Sequence, residues 1–291
     1  MKILILGVSG LIGHKLLQEL SVDHEVFGTL HKTKDQYNNL ALFAGSTIIE
    51  GINALKFEKL TAVLQAIDPD VVLNCVGITK RKISENNILE VIETNAVFPH
   101  KLAKWAKNNN KRVIHFSSDC VFNGKEGDYT EESLTTAEDL YGRTKALGEI
   151  RYKHTLTIRS SFIGQELFDR TELLEWVLAQ DGKQIKGFKN ALYSGVSTNF
   201  MAKTVNDIIT NHTQLSSLYH LALEVPISKY DLICLAKKVF GLNIDITPET
   251  DYVHCPTLNT AKLKNEIGVK VPSWEEMMEE LAKNKNFYKS L

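Results

Sequence analysis

Cysteine is scarce in this chain. Its 291 residues hold four, Cys75, Cys120, Cys234 and Cys255, scattered with no C-x-x-C pair and no zinc-ligand spacing. Neither a disulfide framework nor a structural metal is indicated. Reduced thiols in a cytoplasmic protein are expected, two or three of them buried as small apolar groups. The nine histidines form no H-E-x-x-H pattern, so no metal site is expected. Repeats, low-complexity tracts and an obvious flexible linker are missing as well. No run approaches the ~18 apolar residues of a membrane helix. The opening Met1–Leu6 meets Gly7 too soon to be a signal peptide. The formal net charge of −1 gives no electrostatic case for nucleic acid or an anionic membrane. What remains is ordinary for a soluble globular chain, 43% hydrophobic and 24% charged, long enough for one large α/β domain or two smaller ones.

The chain opens as strand, glycine turn, helix. Lys2 to Leu6 is a short β-type run, Gly7-Val-Ser-Gly10-Leu-Ile-Gly13 follows, and Leu16, Leu17 and Leu20 have helical spacing. Glycines so spaced allow a tight turn, close approach of backbone to a pyrophosphate, and close helix–strand packing. The helix N-terminus then offers free N–H groups to the phosphates. His24 to Leu30 reads as the second strand. Where NAD-binding proteins commonly carry an acid for the ribose 2′-hydroxyl, this chain has Leu30-His31-Lys32-Thr33-Lys34. His31 and Lys32 are cationic candidates for a 2′-phosphate, so NADP(H) is expected over NAD(H).

Strands and helices continue to alternate. Leu60, Val63, Leu64 and Ile67 mark a helix that stops before Asp68-Pro69, and Val71 to Val76 is a buried parallel-type strand ending at Gly77. Ile88 to Asn108 is helical in pattern, with Pro99 kinking it or beginning a second helix. Asn95 on that segment is placed to hold backbone near the site. Val113 to Phe116 and Thr155 to Ile158 are two further strands. The pattern predicts a Rossmann-type, doubly wound parallel sheet over residues 1–165. A smaller α/β lobe is expected over 166–291, with some segments returning to the main sheet. Its expected elements are helices at Leu173–Leu178, Phe200–Ile209, Lys229–Phe240 and Trp274–Lys283, and strands at Tyr219–Leu223 and Ile244–Thr247, with a polar loop over Gly182–Ser197.

The chemistry is expected between Ser117 and Lys145. Ser118 ends the strand Val113–Phe116, on the side of an open α/β sheet where ligands bind. Leu140 to Glu149 reads as a helix capped by Thr136, with Leu140, Thr144 and Leu147 available to pack. Tyr141 and Lys145 then lie one turn apart on one face. Taken alone, such a pair is commonly a solvated surface contact. In a crevice, a nearby ammonium would favour the phenolate and draw the phenol below its usual value of about 10.

Three motifs in order, GVSGLIG, SSDCVFNG and YGRTK, the last opening 23 residues after Ser118, resemble the extended short-chain dehydrogenase/reductase superfamily. The nearest branch resembles the dTDP-4-dehydrorhamnose reductases, with Tyr141-Gly-Arg-Thr-Lys-Ala-Leu-Gly-Glu149 matching Y-G-x-[ST]-K-x-x-G-E throughout. Asn74-Cys-Val-Gly77 and Thr94-Asn95-Ala96 also fall where the family has them. The resemblance implies NADPH-dependent reduction of a ketone on a nucleotide-linked sugar, for deoxysugar and polysaccharide synthesis, with a homodimer as the candidate assembly. Tyr141 would protonate the nascent alkoxide, Lys145 would hold the nicotinamide ribose and lower the Tyr141 pKa, and Ser118 would bind the substrate oxygen. Gly7, Ser9, Gly10, Leu11, Ile12 and Gly13 would line the pyrophosphate, and Asn53 would sit near the adenine. Cys75, Val76 and Gly77 would flank the cofactor with Asn95, and Ser160, Ser161 and Phe162 would border the nicotinamide.

Departures from the pattern bear on the substrate. Cys120 stands where the rhamnose-type reductases show Tyr. The related dehydratases place a Glu there, which a thiol replaces poorly, and Asp119 occupies the position where fucose-type epimerase-reductases carry Cys. Reduction is therefore expected over dehydration or epimerisation. His254-Cys255-Pro256-Thr257 replaces an Arg-Pro pattern of the branch. Asp119, Val121 and Phe122 are candidate substrate contacts, with Lys80, Arg81, Lys82, Lys186 and Lys189 as anchors for a diphosphate and Trp176 or Phe188 for a base or sugar. Two other readings stand beside this one: a non-catalytic NADP-binding regulatory subunit, as in the partners of methionine adenosyltransferase, and a reductase of a non-nucleotide carbonyl.

Overall fold

The computed structural model describes residues 1–37, 40–43 and 47–289. The strands β1 (Lys2–Leu6), β2 (Glu25–Thr29), β3 (Thr47–Ile49), β4 (Val71–Asn74), β5 (Arg112–Ser118) and β6 (Thr155–Ser160) form one sheet. Every neighbouring pair in it is parallel. The expected doubly wound sheet is present, in the order β3-β2-β1-β4-β5-β6 with one further strand beyond β6.

Alternation along β1 explains the layering. Ile3 and Ile5 enter one apolar cluster with Leu16, Leu17 and Leu20 of helix α1 (Gly13–Leu20). Leu4 and Leu6 enter a second, with Leu60 and Leu64 of α2 (Phe57–Ile67). Successive strand residues face opposite sides, so burying both sets requires helices on both faces.

The segment at Pro99 resolves into a short helix α3 (Ile88–Ile92), a π-helical turn Glu93–Val97 and α4 (Phe98–Asn108). Pro99 lies in the first turn of α4, directly after the π-helical turn, so its missing N–H falls where the hydrogen-bond ladder changes register. Helix α5 (Leu140–Leu147) carries Tyr141 and Lys145. Its cap differs from expectation. The Asp139 carboxylate accepts from Gly142 N at 2.9 Å, while Thr136 Oγ1 accepts from Asn123 N instead. Thr144 is buried, but Leu147 is 67% exposed and does not pack inward as expected.

Beyond β6 the chain makes β7 (Phe162–Ile163), α6 (Leu173–Leu178), β8 (Gln184–Phe188), β9 (Leu192–Tyr193), β10 (Val196–Ser197) and α7 (Thr198–Asn211). It continues through β11 (Ser217–His220), β12 (Ile227–Ser228), α8 (Lys229–Phe240), β13 (Asp245–Glu249), α9 (Ala261–Ile267), α10 (Trp274–Lys283) and α11 (Lys285–Lys289). The stretch 182–197 is therefore not a loop, since β8 pairs with β13 and β9 with β12. Strand β11 returns to the main sheet beside β6. Val205 and Ile208 of α7 and Met277 of α10 share the cluster that holds Leu16 and Leu17.

Candidate active site

The order of strands reverses between β1 and β4, and in sheets of this kind ligands bind at that point. Gly7 ends β1 with φ +84°, a backbone conformation that favours glycine. A Cβ on Gly13 would lie 2.2 Å from Gly7 O, so the turn closes only without one. Gly10 differs: a Cβ there would meet only Gly7 O, at an ordinary 3.5 Å. Nothing in the protein demands a glycine at that position, so its bareness leaves room for a ligand. The first turn of α1 has no side-chain cap, with Ile12 at the cap position. Free N–H groups, a bare glycine and a positive helix end fit a pyrophosphate.

Across the crevice, Cys75 and Val76 are half-buried and Gly77 exposed. A Cβ on Gly7 would stand 3.3 Å from Val76 Cγ2 and 3.5 Å from Cys75. Asn95 is buried in the π-turn. Its Oδ1 accepts from Ile78 N at 2.8 Å and its Nδ2 donates to Ile78 O at 2.9 Å, so it holds the loop after β4, as its position suggested. His31 and Lys32 lie exposed after β2. Asn53 Oδ1 accepts from Leu55 N at 2.8 Å. Ser9 Oγ reaches Tyr37 Oη at 3.4 Å.

Ser118 closes β5. Its Oγ donates to Asp119 Oδ1 and accepts from Cys120 N, both at 3.1 Å. The Tyr141 phenol lies against this group. Burial raises its pKa above the ordinary value of 10, with Cys120 and Asp119 adding to the rise and the Ser118 hydroxyl opposing it. This corrects the expectation that Lys145 draws the phenol down. The Lys145 ammonium turns instead toward β5 and donates to Phe116 O at 2.6 Å. Burial lowers it from 10.5 to about 8, against the charge of Glu149 and the nearby Cys75. Ser118 and Tyr141 are thus brought together, and Lys145 stands beside Cys75 at the end of β4.

Asp119 is buried, and burial raises its carboxyl pKa while Ser118, Cys120, Ser161 and Lys229 favour the charge. Half-buried Ser161 and Phe162 follow β6, with Phe162 edge-on to Phe116 at 6.1 Å. Val121 and Phe122, expected at the substrate, are instead 0% and 3% exposed. Phe122 stacks on Tyr129 at 3.9 Å and lies under the Arg159 guanidinium at 4.8 Å. Both are core residues of a third apolar cluster, with Tyr129, Ala222 and Leu258.

The expected anchors divide. Lys80 stays near the site, donating to Asp139 Oδ2 at 2.8 Å and interacting with Cys120 and Tyr252. Arg81 donates to Thr171 O, and Lys82 pairs with Asp169 at 2.5 Å. Lys186 pairs with Glu249 at 2.7 Å, and Lys189 stands over the Tyr230 ring. Trp176 packs on the large core cluster. Lys186 therefore serves a contact within the C-terminal part, and Trp176 serves the core. Phe188 tilts against Tyr252 at 5.0 Å, and Tyr252 stacks on His254 at 6.0 Å, a row of rings leading back toward the site.

Tyr193, Tyr252 and His254, which the sequence did not single out as contacts, also stand beside these groups. The Tyr193 hydroxyl is buried without a well-formed hydrogen bond, and Ser161 and Asp119 act on it. His254 feels Lys229, Asp119 and Lys80 and fills the space over Gly124. Only the altered motif at 254–257 hinted at this. Among the described residues no group of His, Cys, Asp and Glu could hold a metal ion, no helix is long and apolar enough to cross a membrane, and all four cysteines are free and half-buried.

A parallel sheet with a glycine turn at its switch point and a Ser–Tyr–Lys set at the end of β5 defines an extended short-chain dehydrogenase/reductase fold. More narrowly, the family described as "RmlD substrate binding domain" matches residues 1–287, and the chain belongs to that family. The dTDP-4-dehydrorhamnose reductase of Aggregatibacter actinomycetemcomitans is 24% identical over 96% of this chain and 98% of its own. Methionine adenosyltransferase 2 subunit beta of Rattus norvegicus is 27% identical, over 51% of this chain and 41% of its own. Among solved structures, dTDP-4-dehydrorhamnose reductase from Bacillus anthracis in complex with NADP superposes with a TM-score of 0.80, at 17% identity, over 96% of this chain and 98% of that one.

Proposed function

We propose that this protein is an NADPH-dependent reductase of the keto group of a nucleotide-linked 4-keto-6-deoxysugar, serving deoxysugar and polysaccharide synthesis. The observation that carries the reading is the meeting of Ser118 and Tyr141 at the end of β5, with Lys145 one helical turn further and the bare glycine turn across the crevice. The full-length similarity to sugar-nucleotide reductases supports the substrate class.

Gly7, Ser9, Gly10, Leu11, Ile12 and Gly13 would hold the pyrophosphate, with Asn53 toward the adenine. Cys75, Val76, Gly77, Ser161 and Phe162 would enclose the nicotinamide, and Asn95 fixes the loop beside it. When bound, the nicotinamide supplies the hydride. Tyr141, kept protonated by its burial, gives its proton to the carbonyl oxygen as the carbon is reduced, and regains one from solvent. Ser118 turns its hydroxyl from Asp119 to that oxygen, stabilising the charge as it develops. Lys145 places a cation beside the cofactor ribose. Lys80, Asp119, Tyr252 and Phe188 border the sugar nucleotide. His31 and Lys32 favour a 2′-phosphate, and no acid lies between Leu30 and Lys34 to repel one.

The half-length similarity to a methionine adenosyltransferase subunit supports a second reading, a regulatory NADP-binding subunit. The intact Ser118, Tyr141 and Lys145 set favours turnover. A panel of nucleotide-linked 4-ketosugars, followed by loss of NADPH absorbance, tests the proposal. Consumption with at least one is expected, and binding of NADPH without consumption across the panel would support the regulatory reading instead.

A further inference from the structure

We propose that Tyr288, near the C-terminus, is a positioning residue for the dinucleotide: acting through His14, it aims the peptide between Gly10 and Leu11 at the pyrophosphate. His14 is fully buried at the start of α1, and Tyr288 on α11 is 6% exposed. The His14 ring touches two partners, one four residues away in the chain and the other 274. Its Nδ1 lies 2.8 Å from Gly10 O, and its Nε2 lies 2.7 Å from Tyr288 Oη. The rings meet edge-on at 5.8 Å.

A carbonyl only accepts, so the nitrogen facing Gly10 O must carry the proton. In the neutral ring Nε2 is then an acceptor, and the Tyr288 hydroxyl donates to it. Tyr288 thereby fixes the tautomer that holds Gly10. The backbone N–H of His14 also donates to Gly10 O, at 3.2 Å, so this carbonyl is gripped twice. In a planar trans peptide the C=O and the following N–H point in opposite directions. Holding Gly10 C=O toward the helix turns Leu11 N–H away from it, into the crevice beside the bare face of Gly10. The same C-terminal turn reaches the other wall of the crevice. Arg170 donates to Tyr288 O at 3.3 Å, and the adjoining Asp169 and Thr171 hold Lys82 and Arg81 of the loop after β4.

The inference rests on the reading of Gly7–Gly13 as a dinucleotide cradle, and the test separates the two. NADPH is titrated into the full chain and followed by its fluorescence. Tyr288→Phe keeps the ring packing and removes one hydrogen bond, so affinity should fall about five- to tenfold. His14→Asn retains a donor where Nδ1 stands and should bind within about twofold of the native chain, whereas His14→Leu should lose about tenfold. Because Asn has no counterpart of Nε2, adding Tyr288→Phe to His14→Asn should change nothing further, which a merely structural tyrosine would not obey. Native affinity in Tyr288→Phe, or a loss from Tyr288→Phe as large in the His14→Asn background as in the native one, would overturn the inference alone. A native chain that binds neither dinucleotide would overturn the cradle and the inference together.

Discussion

Burial, rather than a lysine neighbour, sets the state of Tyr141. The phenol is held above its usual range by desolvation and by the thiol and carboxyl of Cys120 and Asp119. At neutral pH it keeps its proton, which suits a group that must give one up to a nascent alkoxide. Tyr141→Phe should lower kcat by at least about a hundredfold, the usual contribution of a positioned acid, while NADPH affinity stays within about twofold. Near-native turnover would remove Tyr141 from its role. Lys145 governs the alkaline side. With its pKa lowered by burial to about 8, it is mostly charged at pH 7 and loses the charge as pH rises further. Tyr141 does not ionise first, so kcat/KM should fall with rising pH above about 8. A profile flat to about pH 10 would show that the ammonium charge is not needed. For the cofactor, titration of both dinucleotides should give tighter NADPH than NADH binding, lost in a His31→Ala/Lys32→Ala variant.

At the scale of elements, helix α5 is aimed by close backbone packing at both ends. A Cβ on Gly142 would fall 2.2 Å from Cys120 O, and one on Gly148 would fall 2.0 Å from Asn95 O. The glycines let the helix rest on the turn after Ser118 and on the π-turn, and so fix where Tyr141 points. Gly148→Ala must push the helix off the π-turn. A loss of about 1–3 kcal/mol is expected, read as a lower urea midpoint at unchanged m-value. An unchanged midpoint would mean that the π-turn yields freely. The helix itself was legible in the sequence, as were β1, the glycine turn and the limits of α8 and α10, because each rests on local periodicity or turn chemistry. The cap of α5 differs because Asp139, directly before Leu140 and the stronger cap type, is in register for Gly142 N, whereas Thr136 lies three residues too early and accepts from Asn123 N. The π-turn left no periodic trace beyond Pro99. The strands of 182–197 went unseen because β8 and β13 pair across about sixty residues, beyond the reach of any local pattern. Val121 and Phe122 share a motif with Ser118, and a motif does not say which of its members face inward.

One buried cluster joins the parts of the whole molecule. Arg159 on β6 is 0% exposed. Its Nε and Nη2 donate to both oxygens of Glu149, at 2.8 and 2.7 Å, and its Nη1 donates to His220 Nε2 of β11 at 2.9 Å. His220 is held neutral, its pKa lowered to about 3 by burial and by Arg159, and its Nδ1–H reaches Asn259 O of the C-terminal part at 3.0 Å. Glu149 also accepts from Ser117 and is the charge that favours the Lys145 ammonium. The site is thereby tied through one guanidinium to β11 and to the segment at Asn259. An isolated buried charge is far more costly than a paired one or none. Arg159→Met alone leaves Glu149 buried with the half-exposed Arg151 as its remaining direct ion-pair partner among the described residues, and should cost about 3–5 kcal/mol. Adding Glu149→Gln removes the stranded charge, so the double variant should recover part of that stability while losing the influence of Glu149 on Lys145. With that charge gone, the alkaline fall in kcat/KM should move to lower pH, because Lys145 then gives up its proton more readily. Urea unfolding of the two single variants and the double, with pH–rate profiles of those that fold, checks both halves. Additive losses, or an unmoved alkaline limb in the folded double variant, would show that this cluster holds the fold without tuning the site.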